Sequence, residues 1–402
     1  MAAISLLRKI TPCFLINFYH FCLAFLGSLI YRNPSSRLKT VGVTGTNGKT
    51  TVVTMIAEIL REAGFKVASL SSIEFNIDGR KQPNDLKMTM PGRFEIQKFL
   101  RRAADAGCQY AVLEVTSEGI LQHRHKFIDF EAAVFTNLSP EHIERHGGFG
   151  KYRLAKGRFF QAVQKIHIIN IDDPNAKFFL KFPAKKKYTY GLEKGDVSTN
   201  NISFKLGLMG DFNVYNGLAA VCFGLSQGIS LAVGKKAVQK IKGIPGRMEE
   251  VASKPFRIIV DYAFTPNALE KVYQTMRKTE GNEKARLICL LGACGGGRDK
   301  WKRPVLGKIA AKYCDKTIIT NEDPYDEDPM AIIEQVAEGA GGKAEKIIDR
   351  RQAISQALKS AGPGDAVIIT GKGCEPWICL KNGKKIPWDD RKVVKEELKR
   401  HG

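Results

Sequence analysis

The chain has 402 residues, 44% of them apolar and 26% charged, which is enough for two or three domains with cores of their own and excludes a disordered chain. Lys and Arg total 63 against 41 Asp and Glu, and the formal charge of +22 admits a nucleic-acid partner, an anionic membrane surface or polyanionic substrates. The basic residues are dispersed apart from Lys185-Lys186-Lys187, and no homeodomain, zinc-finger or RNP-type motif accompanies them, so no nucleic-acid partner is expected. Nine cysteines without a C-x-x-C pair suit reduced thiols in a cytosolic protein and argue against a structural zinc site.

From Ile10 to Tyr31 there is no Asp, Glu, Lys or Arg, with Arg8-Lys9 before the run and Arg32, Arg37 and Lys39 after it. Such a run suits a helix packed on the protein body, an interfacial anchor at the inner face of a membrane, or a span. A cleaved export signal is set aside, because export would part the next element from its nucleotide. That element is VGVTGTNGKTT, residues 41–51. Val41 and Val43 end a strand-like run, Gly45 and Gly48 free the backbone for a turn, and Val52, Ile56, Ile59 and Leu60 recur at helical spacing. Five residues, not four, separate Gly42 from Gly48, so the literal phosphate-loop pattern is missed while its chemistry is kept. Amides from Gly45, Thr46, Asn47, Gly48 and Thr51 would cradle a phosphate, Lys49 would neutralise it, and Thr50 would hold Mg²⁺.

Strand-like runs then alternate with amphipathic helices, as in FKVASLSS, QYAVLEVTS, AAVFTNLS and KIHIINIDD, and the alternation predicts a mostly parallel sheet covered by helices. Near GIPGRMEEV the pattern restarts, and FRIIVDYAF, ARLICLLGACGGG, DKTIITNED and DAVIITGKG predict a second α/β unit. Ligands of open α/β sheets gather at the carboxyl ends of the strands. The expected architecture is an apolar helical segment over 1–38, a central ATP-binding α/β domain over 39–243 and a Rossmann-like α/β domain over 244–402.

The motifs GTNGKTT, LEVTSEG, FTNLSPEHIERHG, YRLAKGRFF, GDFNVYNGLAA, IPGRMEEV, DYAFTPNAL, GACGGGRDKWKRP, TNEDPYDEDPMAII and ITGKGCE occur in one chain and in this order. Together they resemble the Mur ligases, ATP-dependent amide-bond-forming enzymes of peptidoglycan synthesis, and among them the tripeptide synthetases. The resemblance implies that ATP phosphorylates a carboxylate of a UDP-muramoyl-peptide and that an amino acid then attacks the acyl phosphate. Cell-wall biogenesis, and through it cell shape and division, would be the setting.

Glu114 ends a run of apolar residues, where a carboxylate facing the loop is a natural Mg²⁺ ligand, and the resemblance gives it that role. It also assigns His142 to a second Mg²⁺ and matches Lys156 to a lysine that is carbamylated and so becomes a metal-ligating anion. Taken singly, that histidine would be structural and that lysine a surface residue. Asn213 and Asn216 are implied at the adenine, Arg247 on the phosphates and Asp261 on the ribose, in keeping with what amide, guanidinium and carboxylate recognise. Helix capping would account equally for both asparagines. Thr89, Thr116, Ser117 and Arg124 are implied for the muramoyl-peptide, and Arg298, Glu322, Asp323, Tyr325, Gly371 and Glu375 for the incoming amino acid.

The departures concern specificity. Glu322-Asp323-Pro324-Tyr325 stands where diaminopimelate-adding members read D-N-P-R, Cys374 replaces the His of K-G-H-E, Met90 and Glu118 alter the T-T-P and S-S-H motifs, and Phe264 replaces the His of D-Y-A-H-T-P. Relatives carry a UDP-binding domain ahead of the loop, which here begins at residue 41. The uridine would then be held by the central domain, or by a partner protein, or the donor would be a lipid-linked muramoyl peptide. A folylpolyglutamate synthetase-like ligase and a non-catalytic nucleotide-binding scaffold subunit are the alternatives to a cytoplasmic Mur-type ligase.

Overall fold

The computed structural model describes residues 12–203, 205–280 and 285–401, so positions 10 and 11 of the apolar run and the preceding Arg8-Lys9 lie outside the described residues. The chain packs as two compact units. One comprises residues 1–138, 150–205 and 214–240, and the other 139–149, 206–213 and 241–402.

The first unit is built on a nine-stranded sheet. In spatial order its strands are Arg80–Pro83, Glu74–Ile77, Val67–Leu70, Tyr110–Glu114, Lys39–Thr44, Phe130–Phe135, Ile166–Asn170, Lys186–Gly191 and Val197–Ser198. All neighbours are parallel except the hairpin strands Glu74–Ile77 and Arg80–Pro83 at one edge. Lys39–Thr44 is central because its β-branched residues suit a strand covered on both faces, and every residue after Lys39 is buried. It feeds the helix Lys49–Glu62, whose Val52, Ile56, Ile59 and Leu60 are all buried as their spacing predicts.

The apolar run forms the helix Cys13–Ile30, packed against the helix Arg93–Asp105 through small residues, with Gly27 lying over the backbone of Arg93 and Phe94. At 1.5 Å per residue it reaches about 27 Å, short of the roughly 30 Å hydrocarbon core of a bilayer. Among the described residues no helix is long and apolar enough to cross a membrane.

The second unit carries a six-stranded sheet. Its order is Glu249–Ala252, Arg257–Asp261, Ala366–Thr370, Leu287–Leu291, Lys316–Thr320 and Glu345–Ile347, parallel throughout except for the first pair. The helices Pro266–Glu280, Lys302–Tyr313 and Pro329–Gly339 contribute to the core on one face, and Arg350–Ser360 and Asp390–His401 to that on the other. All four strands expected from the sequence are present. The architecture is therefore α/β, a large mostly parallel sheet plus a second, Rossmann-like sheet, as the alternation predicts.

One expectation fails here. Cys289, buried in the strand Leu287–Leu291, is disulfide-bonded to Cys314 at the end of the helix Lys302–Tyr313, so the thiols are not all reduced. The two lie 25 residues apart, and only the strand–helix packing brings them together.

Candidate functional site

In the first unit, the parallel register sets Glu114 opposite Val43 and Phe135 opposite Thr44, so three strands end together around the loop 45–48. Gly48, at φ +82°, opens the helix Lys49–Glu62, and a Cβ there would lie 2.4 Å from Asn216 Oδ1. Gly45, at φ +153°, faces Thr136 so closely that a Cβ would collide with its hydroxyl. Glycine is required at both places by crowding, and at Gly48 by the left-handed backbone as well.

The loop is clasped from the next strand end. Thr46 N donates to Asn137 O (2.8 Å), Asn47 N to Asn137 Oδ1 (3.0 Å), and Thr136 Oγ1 to Asn47 O (2.7 Å). Val52 N donates to Gly48 O, so the helix starts directly at the loop and its first amides face the same end as the loop glycines. Lys49 Nζ curls back onto Thr46 O (2.8 Å) and Gly45 O (3.2 Å). A positive charge and helix-start amides thus converge where the sequence places a phosphate.

Behind the loop lies a set of oxygen donors. Thr50 Oγ1 donates to Glu114 Oε1 (2.5 Å) and lies 2.9 Å from Ser72 Oγ, while Ser72 N donates to the same carboxylate oxygen (2.9 Å). Glu114 is 1% exposed, so it is not a surface glutamate. Two hydroxyls and a buried carboxylate are hard donors of the kind Mg²⁺ takes. Ser72 was missed in the sequence, because its approach depends on strand pairing.

Lys156 is buried, with Nζ 2.8 Å from Gly45 O, 3.4 Å from Thr44 Oγ1 and 4.9 Å from the centre of the Tyr152 ring. Burial, reinforced by the Lys49 charge, holds this amine well below the ordinary lysine range. His142, expected to join the same metals, belongs to the second unit and adopts a left-handed backbone ahead of the short helix Ile143–His146. Asp299 caps that helix, accepting from Ile143 N and Glu144 N at 3.0 Å each.

The muramoyl-peptide candidates hold their own backbone in place. Thr116 caps the helix Ser117–Leu121 through Gly119 N (3.1 Å), Ser117 is buried, and Arg124 binds Met90 O and Gln122 Oε1. Thr89 is half-buried next to Met90, whose sulfur packs on Gly119.

Among the nucleotide candidates, Asn216 lies over Gly48, and Asn213 donates to Met209 O (2.6 Å). Asp261 receives Met248 N (2.7 Å) and Ala263 N (2.6 Å), and burial raises its carboxyl. Arg247 stacks on the Tyr262 ring at 4.4 Å.

In the second unit, Glu322 and Asp323 follow the strand Lys316–Thr320, and Gly371 to Glu375 follow Ala366–Thr370. Lys372 Nζ bridges Asp323 (3.0 Å) and Glu375 (2.5 Å), and Tyr262 OH donates to Glu375 (2.7 Å). Lys372 had been given no role by the sequence, yet it offsets part of the negative charge expected there. Glu322 accepts from Cys294 Sγ (2.7 Å), and its Oε2, 2.6 Å from where a Cβ on Gly371 would stand, is buried without a hydrogen-bond partner. Burial, and then Asp323, push the Glu322 carboxyl up. Tyr325, in left-handed backbone, lays its ring along Gly296, two residues from Arg298. Lys302 is bound to Glu141 (2.9 Å), and Arg303 to Glu327 (2.9 Å), Gln335 (2.8 Å) and Cys294 O (3.1 Å).

Residues 43–224 match the Mur ligase middle domain, and residues 246–373 match the Mur ligase glutamate ligase domain. The UDP-N-acetylmuramoyl-L-alanyl-D-glutamate–2,6-diaminopimelate ligase of Syntrophomonas wolfei is 39% identical over 94% of this chain and 81% of its own length. A solved structure of a ligase of that name superposes with a TM-score of 0.59 at 31% identity, covering 90% of this chain and 79% of the other. The folylpolyglutamate synthase of Mycobacterium tuberculosis, solved with ADP and AMPPCP, has a TM-score of 0.70 over 87% of this chain and 92% of its own, at 17% identity, which speaks for the fold alone. With both family domains matched in order and a relative of that similarity over most of both lengths, the chain belongs to the Mur ligase family.

Proposed function

We propose that this chain is a peptidoglycan-precursor ligase of the cytoplasm, joining an amino acid to a UDP-N-acetylmuramoyl-dipeptide-like substrate with cleavage of ATP to ADP. The observation that carries this reading is the clasped loop with Lys49 above it and the Thr50–Glu114 pair behind it. Family members are ATP-dependent, ADP-forming ligases. The amides of Thr46 and Asn47 being taken by Asn137, the start of the helix Lys49–Glu62 and the Lys49 ammonium would bind the phosphates and hold the terminal one toward a substrate carboxylate, stabilising the charge that develops as it is transferred. The acyl phosphate is then attacked by the amine, releasing inorganic phosphate.

Mg²⁺, when bound, screens the phosphate charge and polarises the transferred group. Thr50 and Glu114 would hold it, with Lys156 and His142 as the further ligands. Lys156 suits that role as a carbamate: its amine, buried against neutral oxygens, adds to carbon dioxide, forms an N–C bond and gives up a proton. Asn213, Asn216, Arg247 and Asp261 would serve the nucleoside and its phosphates. Thr89, Thr116, Ser117 and Arg124 would serve the muramoyl-peptide, and Arg298, Glu322, Asp323, Tyr325, Gly371 and Glu375 the incoming amino acid.

ADP release that requires both a muramoyl dipeptide and an amino acid tests the proposal. Release with a folate and glutamate instead would favour the folylpolyglutamate alternative, and no release with either pair would favour a scaffold subunit. Turnover of the soluble UDP-linked dipeptide by the chain alone separates this reading from a lipid-linked donor and from a chain that needs a partner protein.

A further inference from the structure

The helix Cys13–Ile30 has its faces reversed relative to an ordinary surface helix. Its inward residues are small or polar, with His20, Ala24, Gly27 and Ser28 buried, while its large apolar residues point away from the protein. Phe14, Phe18 and Ile30 are 69%, 65% and 62% exposed. Of the sixteen large hydrophobic residues exposed among the described residues, nine lie on this one helix, so the apolar surface is concentrated rather than scattered. Phe21 and Phe25 continue the face by packing at steep angles on Phe127, at 5.1 and 5.3 Å between ring centres.

Charge decides what covers this face. The helix carries no Asp, Glu, Lys or Arg, Arg32, Arg37 and Lys39 are exposed just beyond its end, and Lys126 is exposed next to Phe127. A second copy would bring another +22 against the first, whereas an anionic lipid surface attracts that charge. Phenylalanine and leucine make up the apolar face of helices that lie at the boundary between acyl chains and headgroups, and tyrosine is enriched there. We propose that the outward face of Cys13–Ile30 is an interfacial anchor that seats the protein on an anionic bilayer without spanning it.

Flotation of the full chain with vesicles of phosphatidylcholine containing phosphatidylglycerol, against phosphatidylcholine alone, tests this independently of the ligase reading. Binding is expected to the anionic vesicles and to weaken as salt rises. Phe14→Ser with Phe18→Ser should lower partition by at least about tenfold, since each ring loses its place in the apolar layer. A second variant, Arg32→Asn with Arg37→Gln, leaves the apolar face whole and should remove the preference for the anionic vesicles. Circular-dichroism melting is expected to be unchanged in both. No flotation of the wild-type chain, or equal flotation of the first variant, overturns the proposal. So does a concentration-dependent dimer in sedimentation that the first variant abolishes while vesicles are ignored.

Discussion

Thr50 Oγ1 and Glu114 Oε1 are 2.5 Å apart, a contact between the first turn of the phosphate-loop helix and the end of the neighbouring strand. Glu114 is the acidic member of that donor set, so Glu114→Ala should cut the turnover number by roughly 10²–10³-fold, as loss of a charge-stabilising group does. It should also raise the Mg²⁺ concentration needed for half-maximal activity. Losing the acceptor of Thr50 and Ser72 should cost about 1–3 kcal/mol of stability. Titrating Mg²⁺ against ADP release checks this, and an unchanged metal requirement in a folded variant would remove Glu114 from the metal site.

Lys49→Ala removes the ammonium that now rests on Gly45 O and Thr46 O. The fold should persist, because both acceptors are loop carbonyls, while ADP release falls by roughly 10²–10³-fold. Near-wild-type turnover by the variant would discard the phosphate-loop assignment.

For Lys156, the expected carbamate makes activity depend on bicarbonate. Lys156→Ala should be inactive alone and partly restored by a short carboxylate such as acetate, which supplies the missing anion. Lys156→Arg should be inactive and not restored, since its guanidinium still fills the space and stays charged. Full activity of Lys156→Ala in carbonate-free buffer would count against a metal role.

These tests draw on residues that differ in how plainly the sequence announces them. The loop and its helix were legible because they are local: two glycines, a lysine and a helical apolar period within about twenty residues. Glu114 was legible as the polar end of an apolar run. What was not legible depends on contacts between distant segments. Thr136 and Asn137 clasp a loop about 90 residues earlier, and Lys372 reaches Asp323 across 49. The reversed faces of Cys13–Ile30 were hidden for a related reason, since a run apolar on all sides does not say which side meets the protein. The disulfide joins cysteines whose spacing matches no motif.

His125 provides a pH test of the first unit's core. It is 4% exposed beside Phe159, and its Nδ1 has no hydrogen-bond partner. Burial, then the charge of Lys126, lower its pKa to about 3. The unfolded chain takes up a proton near pH 6.5 and the folded one does not, so stability is complete above that pH and is lost as pH falls from about 6.5 toward 3. Between pH 6.5 and 5 the loss should be about 2 kcal/mol, at roughly 1.4 kcal/mol per unit. Urea unfolding of wild type and His125→Gln at both pH values checks this, and the variant's curve should lack that increment. Equal slopes would show that other groups carry the acid sensitivity.

On the proposed assignment of Glu322, Asp323, Tyr325 and Glu375 to the incoming amino acid, the charge around Glu322 would select it. Tyr325 stands in the place of the D-N-P-R arginine, and the two cations best placed in sequence to substitute for it are held elsewhere, Lys302 by Glu141 and Arg303 by Glu327. A distal carboxylate there would lose a charge-assisted pair, each such bond being worth about 1.5–3 kcal/mol. Lys372 bridges Asp323 and Glu375, while Glu322, held by Cys294 Sγ, has its carboxyl pushed up by burial and by Asp323 and feels the charges of Lys372 and Arg350 only at a distance. The unpartnered Oε2 of Glu322 is an acceptor suited to a terminal ammonium, which would also draw that carboxyl into its charged form. The net charge of +22 opposes this only at long range and is screened beyond about 8 Å. Local charge should prevail, so kcat/KM is expected to be at least about tenfold higher for lysine or ornithine than for meso-diaminopimelate. Tyr325→Arg should narrow or reverse that ratio by restoring the guanidinium, and Glu322→Gln should lower kcat/KM for lysine and ornithine, whose terminal ammonium Glu322 would hold. A wild-type preference for diaminopimelate that Tyr325→Arg leaves unchanged would mean that a cation outside this group receives the distal carboxylate.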